Sequence, residues 1–404
     1  MFYKKIGISM MMVFIAVAFA ACGQEKDAEN SEMETVKKEE GKSTEKSAPY
    51  EDEKPEESSV SNETENEEEE SKVSSLKQQF GENCIEEQTF EVQLSEYEKK
   101  VWFVSYAPAE QNSGLSMQIV SEGEILAEIS PFVPQSLSGE KFGSLDAVSF
   151  YDVNYDGNTD IVLIETYGNT SFAAVYYGYA GNEAGEKAFF AAQEKLSENI
   201  SAQLNDITIP AIRTLLSDGK KNGEFIDYKE AYEIVSRLCA LESSDEIKYN
   251  LIYVNEDDIP ELAVGNSGYF MSLYTWSDGS VYTLMDHWGY GAMGNAGYEY
   301  SPRKNSVRND NSDYAGAILY RTYMKINESH VLDTVVQIES YQFDDVNQNG
   351  IPDENEMDSI GRYSVNYIDG KEITDETYNS YDMGDYEYIE VHMSTENLKS
   401  NLIL

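Results

Sequence analysis

Between residues 84 and 181 apolar and polar positions alternate in short runs, and the runs are separated by Gly, Asn, Ser and Pro. Val, Ile, Phe and Tyr dominate the apolar positions. Branched and aromatic side chains suit a pleated surface, so the pattern predicts antiparallel strands near 89–94, 100–106, 116–129, 147–151, 161–166 and 172–179. The period then lengthens, and helical spacing is expected over 186–204 and 209–216, ending near Gly219. Asp227 with Glu230 three residues on reads as a helix start. Behind it Ala231, Ile234, Val235, Leu238 and Leu241 recur on one face, predicting a helix to about Glu242. Strand patterning resumes at 249–254, 261–264, 270–276, 281–285, 317–325 and 331–343. The fold class this predicts is α+β: two antiparallel β-rich domains, 76–220 and 221–404, with a few covering helices.

An acidic loop interrupts the pattern at 152–160 and again at 345–356, with a worn copy at 253–261. In the first two, side-chain oxygens fall at every second position and glycine stands sixth, where the chain must turn sharply. A hard cation that takes six to eight oxygen ligands requires that spacing. The first loop offers Asp152, Asn154, Asp156, the backbone carbonyl of Asn158, and Asp160; Leu163 stands where an EF-hand has its bidentate glutamate. The third offers Asp345, Asn347, Asn349, the carbonyl of Ile351, Asp353 and Glu356, filling all ligand positions of a twelve-residue EF-hand loop. Turns whose carboxylates merely cap backbone amides would share part of this composition. Converging carboxylates without a cation repel, however, and the expectation is Ca2+ at two sites. The worn copy has Tyr253 at the first ligand position and Asp258 at the glycine position, leaving Asn255, Asp257 and Glu261. It is expected to be a structural turn. The first and worn copies each run into an apolar strand, then a turn, then an aromatic strand, an internal repeat about 100 residues apart.

The run DVNYDGNTDIVLI at 152–164 resembles the acidic loop of FG-GAP and VCBS repeats, which implies calcium bound without the twelfth-position glutamate. The segment ending GIPDENE at 350–356 is similar to thrombospondin type 3 and other EF-hand-like extracellular repeats. More broadly, residues 228–379, with NEDDIPEL, YSPRKN and NYIDGKEITDETYN, resemble lipoprotein modules of Gram-positive anaerobes whose function is unassigned. That resemblance implies a surface location and no particular activity.

Lys4 and Lys5 precede an uncharged run from 6 to 21, a secretory signal pattern. It closes as Phe19, Ala20, Ala21, Cys22 and Gly23, which resembles a bacterial lipobox and implies acylation (palmitate among the chains) at Cys22. Residues 22–75 then form an acidic linker with almost no apolar side chains, expected to be a disordered tether. These features predict a lipid-anchored protein on the outer face of the cell membrane. The formal charge is -46, from 75 acidic against 29 basic residues, a field that disfavours nucleic acid as a partner. With Cys22 committed to lipid, Cys84 and Cys239 either pair or stay as free thiols.

Three histidines, His287, His330 and His392, lie outside any catalytic signature, and the chain has no HExxH, GxSxG or phosphate loop. His287, Trp288 and Tyr290 interleave aromatics with glycine, as a surface that stacks on a sugar or peptide does; packing of a loop over its own sheet would use the same residues. The sequence is compatible with two functions. One is a calcium-stabilised binding protein whose partner is an extracellular glycan or protein. The other is a surface hydrolase acting on a cell-wall or dietary polymer through a carboxylate pair the sequence does not single out.

Overall fold

A computed structural model describes residues 76–109, 114–181, 187–292 and 294–403. The expected signal segment, the lipidated Cys22 and the 22–75 linker lie outside the described residues. Four antiparallel sheets with a few helices make up the described part. The first is a meander of β1 (Phe90–Val92), β2 (Val101–Tyr106), β3 (Ser116–Ser121) and β4 (Glu124–Ile129), and the second of β5 (Phe142–Tyr151), β6 (Asp160–Tyr167), β7 (Thr170–Tyr179) and β8 (Phe189–Ala192). Helices α1 (Glu194–Gln203), α2 (Ile209–Ser217) and α3 (Tyr228–Glu242) follow. The third sheet is a meander of β9 (Lys248–Ile252), β10 (Glu261–Asn266), β11 (Phe270–Ser277) and β12 (Ser280–Gly289). In the fourth, β13 (Tyr298–Ser301), β14 (Ser306–Asp313), β15 (Ile318–Ile326), β16 (Leu332–Tyr341), β17 (Val365–Ile368) and β18 (Lys371–Ile373) run in order, and after α4 (Asp375–Asn379) the strand β19 (Glu387–Tyr388) returns to β13. Helix α5 (Thr395–Ile403) closes the described chain.

The layers run sheet, sheet, helices, sheet, sheet, and the sequence of the inner strands reflects it. In β6, Ile161 and Leu163 face a core shared with the first sheet, whereas Val162 and Ile164 face the helices. A strand covered on both faces has no solvent side to keep polar, hence the continuous run IVLI rather than alternation. Likewise Leu262 and Val264 of β10 face the helices and Ala263 faces the fourth sheet. Each such Leu, Ile or Val contributes about 1.5 to 3 kcal/mol of burial. The central cluster takes Val175 and Tyr177 from β7, Ile200, Ile212, Tyr232 and Val235 from the helices, and Tyr274 from β11. It therefore draws on both sides of the expected 220/221 boundary, and the two halves share packed side chains there.

Several elements differ from their expected extents. The single strand expected at 116–129 is the β3–β4 hairpin, because Glu122 and Gly123 both take positive φ, 50° and 85°, and reverse the chain. The front of the helix expected at 186–204 is strand β8; Phe189 to Ala192 pair with Tyr179 to Tyr176. Beyond the reach of β8, the edge of β7 is capped by α1. Ser201 and Ser197 accept hydrogen bonds from the backbone N–H groups of Ala173 and Val175 at 3.0 and 2.9 Å. Cys84 and Cys239 are both free and buried, in separate clusters.

Candidate functional site

The first acidic loop joins β5 to β6 and is built as a ladder of side-chain acceptors. Asp152 accepts from the N–H groups of Asp156 and Gly157 at 3.2 and 3.1 Å through its two oxygens. Asn154 Oδ1 accepts from Asp156 N–H at 3.3 Å, and Asp156 Oδ1 from Asn158 N–H at 2.8 Å. Tyr155 and Gly157 both adopt positive φ, 63° and 86°, which turns the chain tightly enough for these contacts. Asp160, the first residue of β6, is fully buried, and its carboxylate accepts from Val153 N–H at 2.6 Å and Gly178 N–H at 2.9 Å.

The loop is gripped from two other sheets. From the β1–β2 connection, Glu96 Oε1 accepts from Thr159 N–H at 2.7 Å, and the Ser95 N–H donates to the Thr159 hydroxyl at 2.9 Å. From β12, the Thr283 N–H and hydroxyl donate to the carbonyls of Tyr155 and Asn154 at 2.9 and 2.8 Å. Tyr155 packs edge-on against Phe225, centroids 5.9 Å apart. Burial, aided by the neighbouring charge of Asp156, pushes the Asp152 carboxyl up to about 7. Burial also raises Asp156, Asp160 and Glu96 above the usual carboxylate range. None of the ion pairs among the described residues involves these four groups. Oxygen donors without a basic neighbour are the environment a hard cation stabilises.

The third loop, between β16 and β17, repeats the ladder atom for atom. Asp345 accepts from Asn349 and Gly350 N–H at 3.1 and 2.9 Å, Asn347 from Asn349 at 3.0 Å, and Asn349 from Ile351 at 2.8 Å. Gln348 and Gly350 carry the positive φ values, 58° and 76°. The ninth residue, Asp353, accepts from Asn355 and Glu356 N–H instead of closing the loop. Closure falls to the twelfth residue: buried Glu356 accepts from Val346 N–H at 2.9 Å and Asp353 N–H at 3.0 Å. Thus Asp160 and Glu356 do the same backbone work from different positions.

In the worn loop the inner rungs survive. Asn255 accepts from Asp257 N–H at 3.0 Å, Asp257 from Ile259 N–H at 2.9 Å, and buried Glu261 from Val254 N–H at 2.8 Å. Burial holds the Glu261 carboxyl up at about 7. The first rung is gone, since Tyr253 has no carboxylate. Among the described residues no group of three or more His, Cys, Asp and Glu is gathered so as to hold a metal ion by those side chains alone. The donor sets of the first and third loops also include Asn amide and backbone carbonyl oxygens.

His287 packs on a different neighbour from Trp288 and Tyr290. A bulge in the β11–β12 ladder leaves Asp286 and His287 opposite no regular partner, and His287 takes φ 50°. Its N–H donates to Ser272 Oγ at 2.9 Å, its ring lies 4.8 Å from Phe270, and Nδ1 meets Asp286 Oδ1 at 2.6 Å. Burial alone would lower the His287 pKa, but the bond and charge of Asp286 outweigh it and raise it. Nearby, at the end of α3, Glu242 accepts the Tyr177 hydroxyl; burial pushes its carboxyl up to about 7, against the opposing charge of His287. Trp288 and Tyr290 pack on Tyr298, with centroids 5.6 and 6.3 Å away, half-buried against the core beneath the fourth sheet. Glu96 and Glu242 carry no local motif, and the groups they bind, Thr159 and Tyr177, lie more than 60 residues away along the chain.

The sequence matches no protein-family model and no curated protein. Among the described residues no helix is long and apolar enough to cross a membrane.

Proposed function

We infer that this chain is a calcium-stabilised protein of α+β type, lipid-anchored through Cys22 at the outer face of the cell membrane, which binds an extracellular glycan or protein. The observation that carries the calcium part is the ladder of closely spaced oxygen donors shared by the first and third loops, none of whose carboxylates is ion-paired among the described residues; those of the first loop are buried or half-buried, and in the third loop Asp345 is half-buried and Glu356 buried. Asp152, Asn154, Asp156, the Asn158 carbonyl and Asp160 would hold one ion. Asp345, Asn347, Asn349, the Ile351 carbonyl, Asp353 and Glu356 would hold the other. Ca2+ bound there neutralises the carboxylates and ties β5 to β6 and β16 to β17. Because Glu96 and Thr283 grip the first loop, the ion at that loop also steadies contacts to the first and third sheets.

Extracellular calcium modules have dissociation constants of about 0.1 to 1 mM, so about 5 mM calcium should contribute roughly 1 to 2 kcal/mol per site. Thermal melts of the purified protein should therefore shift upward by a few degrees in calcium relative to chelator. Asp152→Ala and Asp345→Ala should each remove part of that shift. An identical melting temperature in both conditions would sink the calcium reading.

A second reading, the surface hydrolase, draws on the Glu242 carboxyl held near 7 close to the Asp286–His287 pair, a combination suited to proton transfer. Turnover of a glycan or peptide panel that disappears in Glu242→Gln, with the melting temperature retained, would favour it over binding alone. Binding without turnover in the same panel supports the first reading.

A further inference from the structure

The worn loop keeps its inner rungs although its first ligand is lost, and what closes it comes from the fourth sheet. In the first loop Asp152 ties position one to positions five and six, through the N–H groups of Asp156 and Gly157. The equivalent positions in the worn loop are Tyr253, Asp257 and Asp258. Arg303, in the turn between β13 and β14, touches all three. Its guanidinium lies over the Tyr253 ring, 4.4 Å from the centroid. Nη1 donates to the Asp257 carbonyl at 3.0 Å and to Asp258 Oδ1 at 3.1 Å. The backbone of the same turn is docked, with Arg303 N–H on the Tyr253 carbonyl and Asn305 N–H on the Val254 carbonyl, both at 2.8 Å. Arg303 takes φ 57° to reach this position.

We propose that Arg303 is the built-in cation of the worn loop, closing it where the other two use a first-position aspartate, so that this corner takes no calcium and joins the third and fourth sheets independently of it. Each departure of the sequence then has a partner. Tyrosine at the first position offers a ring face for a planar guanidinium, where a carboxylate would offer a metal ligand. Aspartate in place of glycine at the sixth position supplies the acceptor for Nη1. A single guanidinium with five donors in one plane satisfies a ring, a carbonyl and a carboxylate together, which the point charge of a lysine does not.

The test is amide hydrogen exchange of the full-length protein, with about 5 mM calcium and with chelator, for the unaltered chain, Arg303→Met and Arg303→Lys. Arg303→Met should accelerate exchange of Asp257 and Ile259 about three- to tenfold, equally in both conditions, as loss of an exposed cation–π contact and ion pair implies. Arg303→Lys should restore only part of the protection. Chelation of the unaltered chain should leave these amides unchanged. Unchanged exchange in Arg303→Met would overturn the proposal, and so would a bound-calcium count that falls by one in Asp257→Asn. The inference stands apart from the calcium reading of the first loop: if chelator leaves Asp156 and Asn158 unaffected, that reading fails, while the Arg303→Met result still decides this one.

Discussion

The loops at 152–160 and 253–261 lie 101 residues apart and share an inner hydrogen-bond skeleton, yet they are closed by different chemistry. In both, the residue that opens the following strand is a fully buried acid that accepts the N–H seven residues back, from Val153 in one and Val254 in the other. In both, the Asx side chains at positions three and five cap the backbone two residues on. Around that skeleton the first loop presents carboxylates that are not ion-paired among the described residues, and the second presents a guanidinium clamp. The difference separates two jobs that acidic loops combine. Satisfying the backbone of a tight turn needs only the inner acceptors and the buried acid, whereas the outer positions decide what cation, if any, finishes the corner.

The two corners should differ most at their buried acids. Asp160→Ala strands two buried N–H groups, those of Val153 and Gly178, and should destabilise the protein by about 3 to 5 kcal/mol in chemical denaturation. Glu261→Ala strands one backbone donor and loosens a weak 3.4 Å contact from the Thr275 hydroxyl, so its loss should be smaller. An equal loss in the two variants would mean that the two acids carry the same structural load.

Acidity offers a finer probe. Glu261 has a folded pKa of about 7, raised by burial above its ordinary 4.5. Its contribution is therefore complete below about pH 4.5 and is lost as pH rises toward 7, an expected cost of about 2 to 3 kcal/mol above neutrality. Glu261→Gln keeps the acceptor without the titration, and should flatten that part of the stability profile between pH 5 and 7. At the first loop the sign of the calcium dependence is opposite. Asp152, raised to about 7, must lose its proton to serve an ion, so the stabilisation by calcium should weaken as pH falls below 7. Parallel profiles in calcium and chelator across that range would remove the distinction between the corners.

Much of this architecture was legible along the chain, where the interacting groups are close neighbours. The ladder rungs span two to five residues, so their spacing alone announces them. The helix of Tyr228–Glu242 was equally plain, its Asp227 cap accepting the Glu230 N–H at 2.9 Å. Hairpins in the fourth sheet were harder. Arg308, Asn309, Asp310 and Asn311 of β14 form no apolar pattern, yet they pair in register with Tyr323 to Tyr320 of β15. The packing of the aromatic stretch was not legible: one bulge lets the His287 ring turn onto Asp286, while Trp288 and Tyr290 lie half-buried against Tyr298. A period of two read along the strand has no means of registering an extra residue.

By itself the sequence determined the elements whose causes are local: the alternating strands, the capped helix, and loops whose oxygen donors fall within a dozen residues. Only the tertiary structure decided which corner is finished by what. Glu96 reaches Thr159 across 63 residues, Thr283 reaches Asn154 across 129, and Arg303 reaches Asp258 across 45. Such contacts form only after sheets have stacked, because the cost of closing long loops is met by the apolar surface buried between layers and not by the polar groups that happen to meet at the rim.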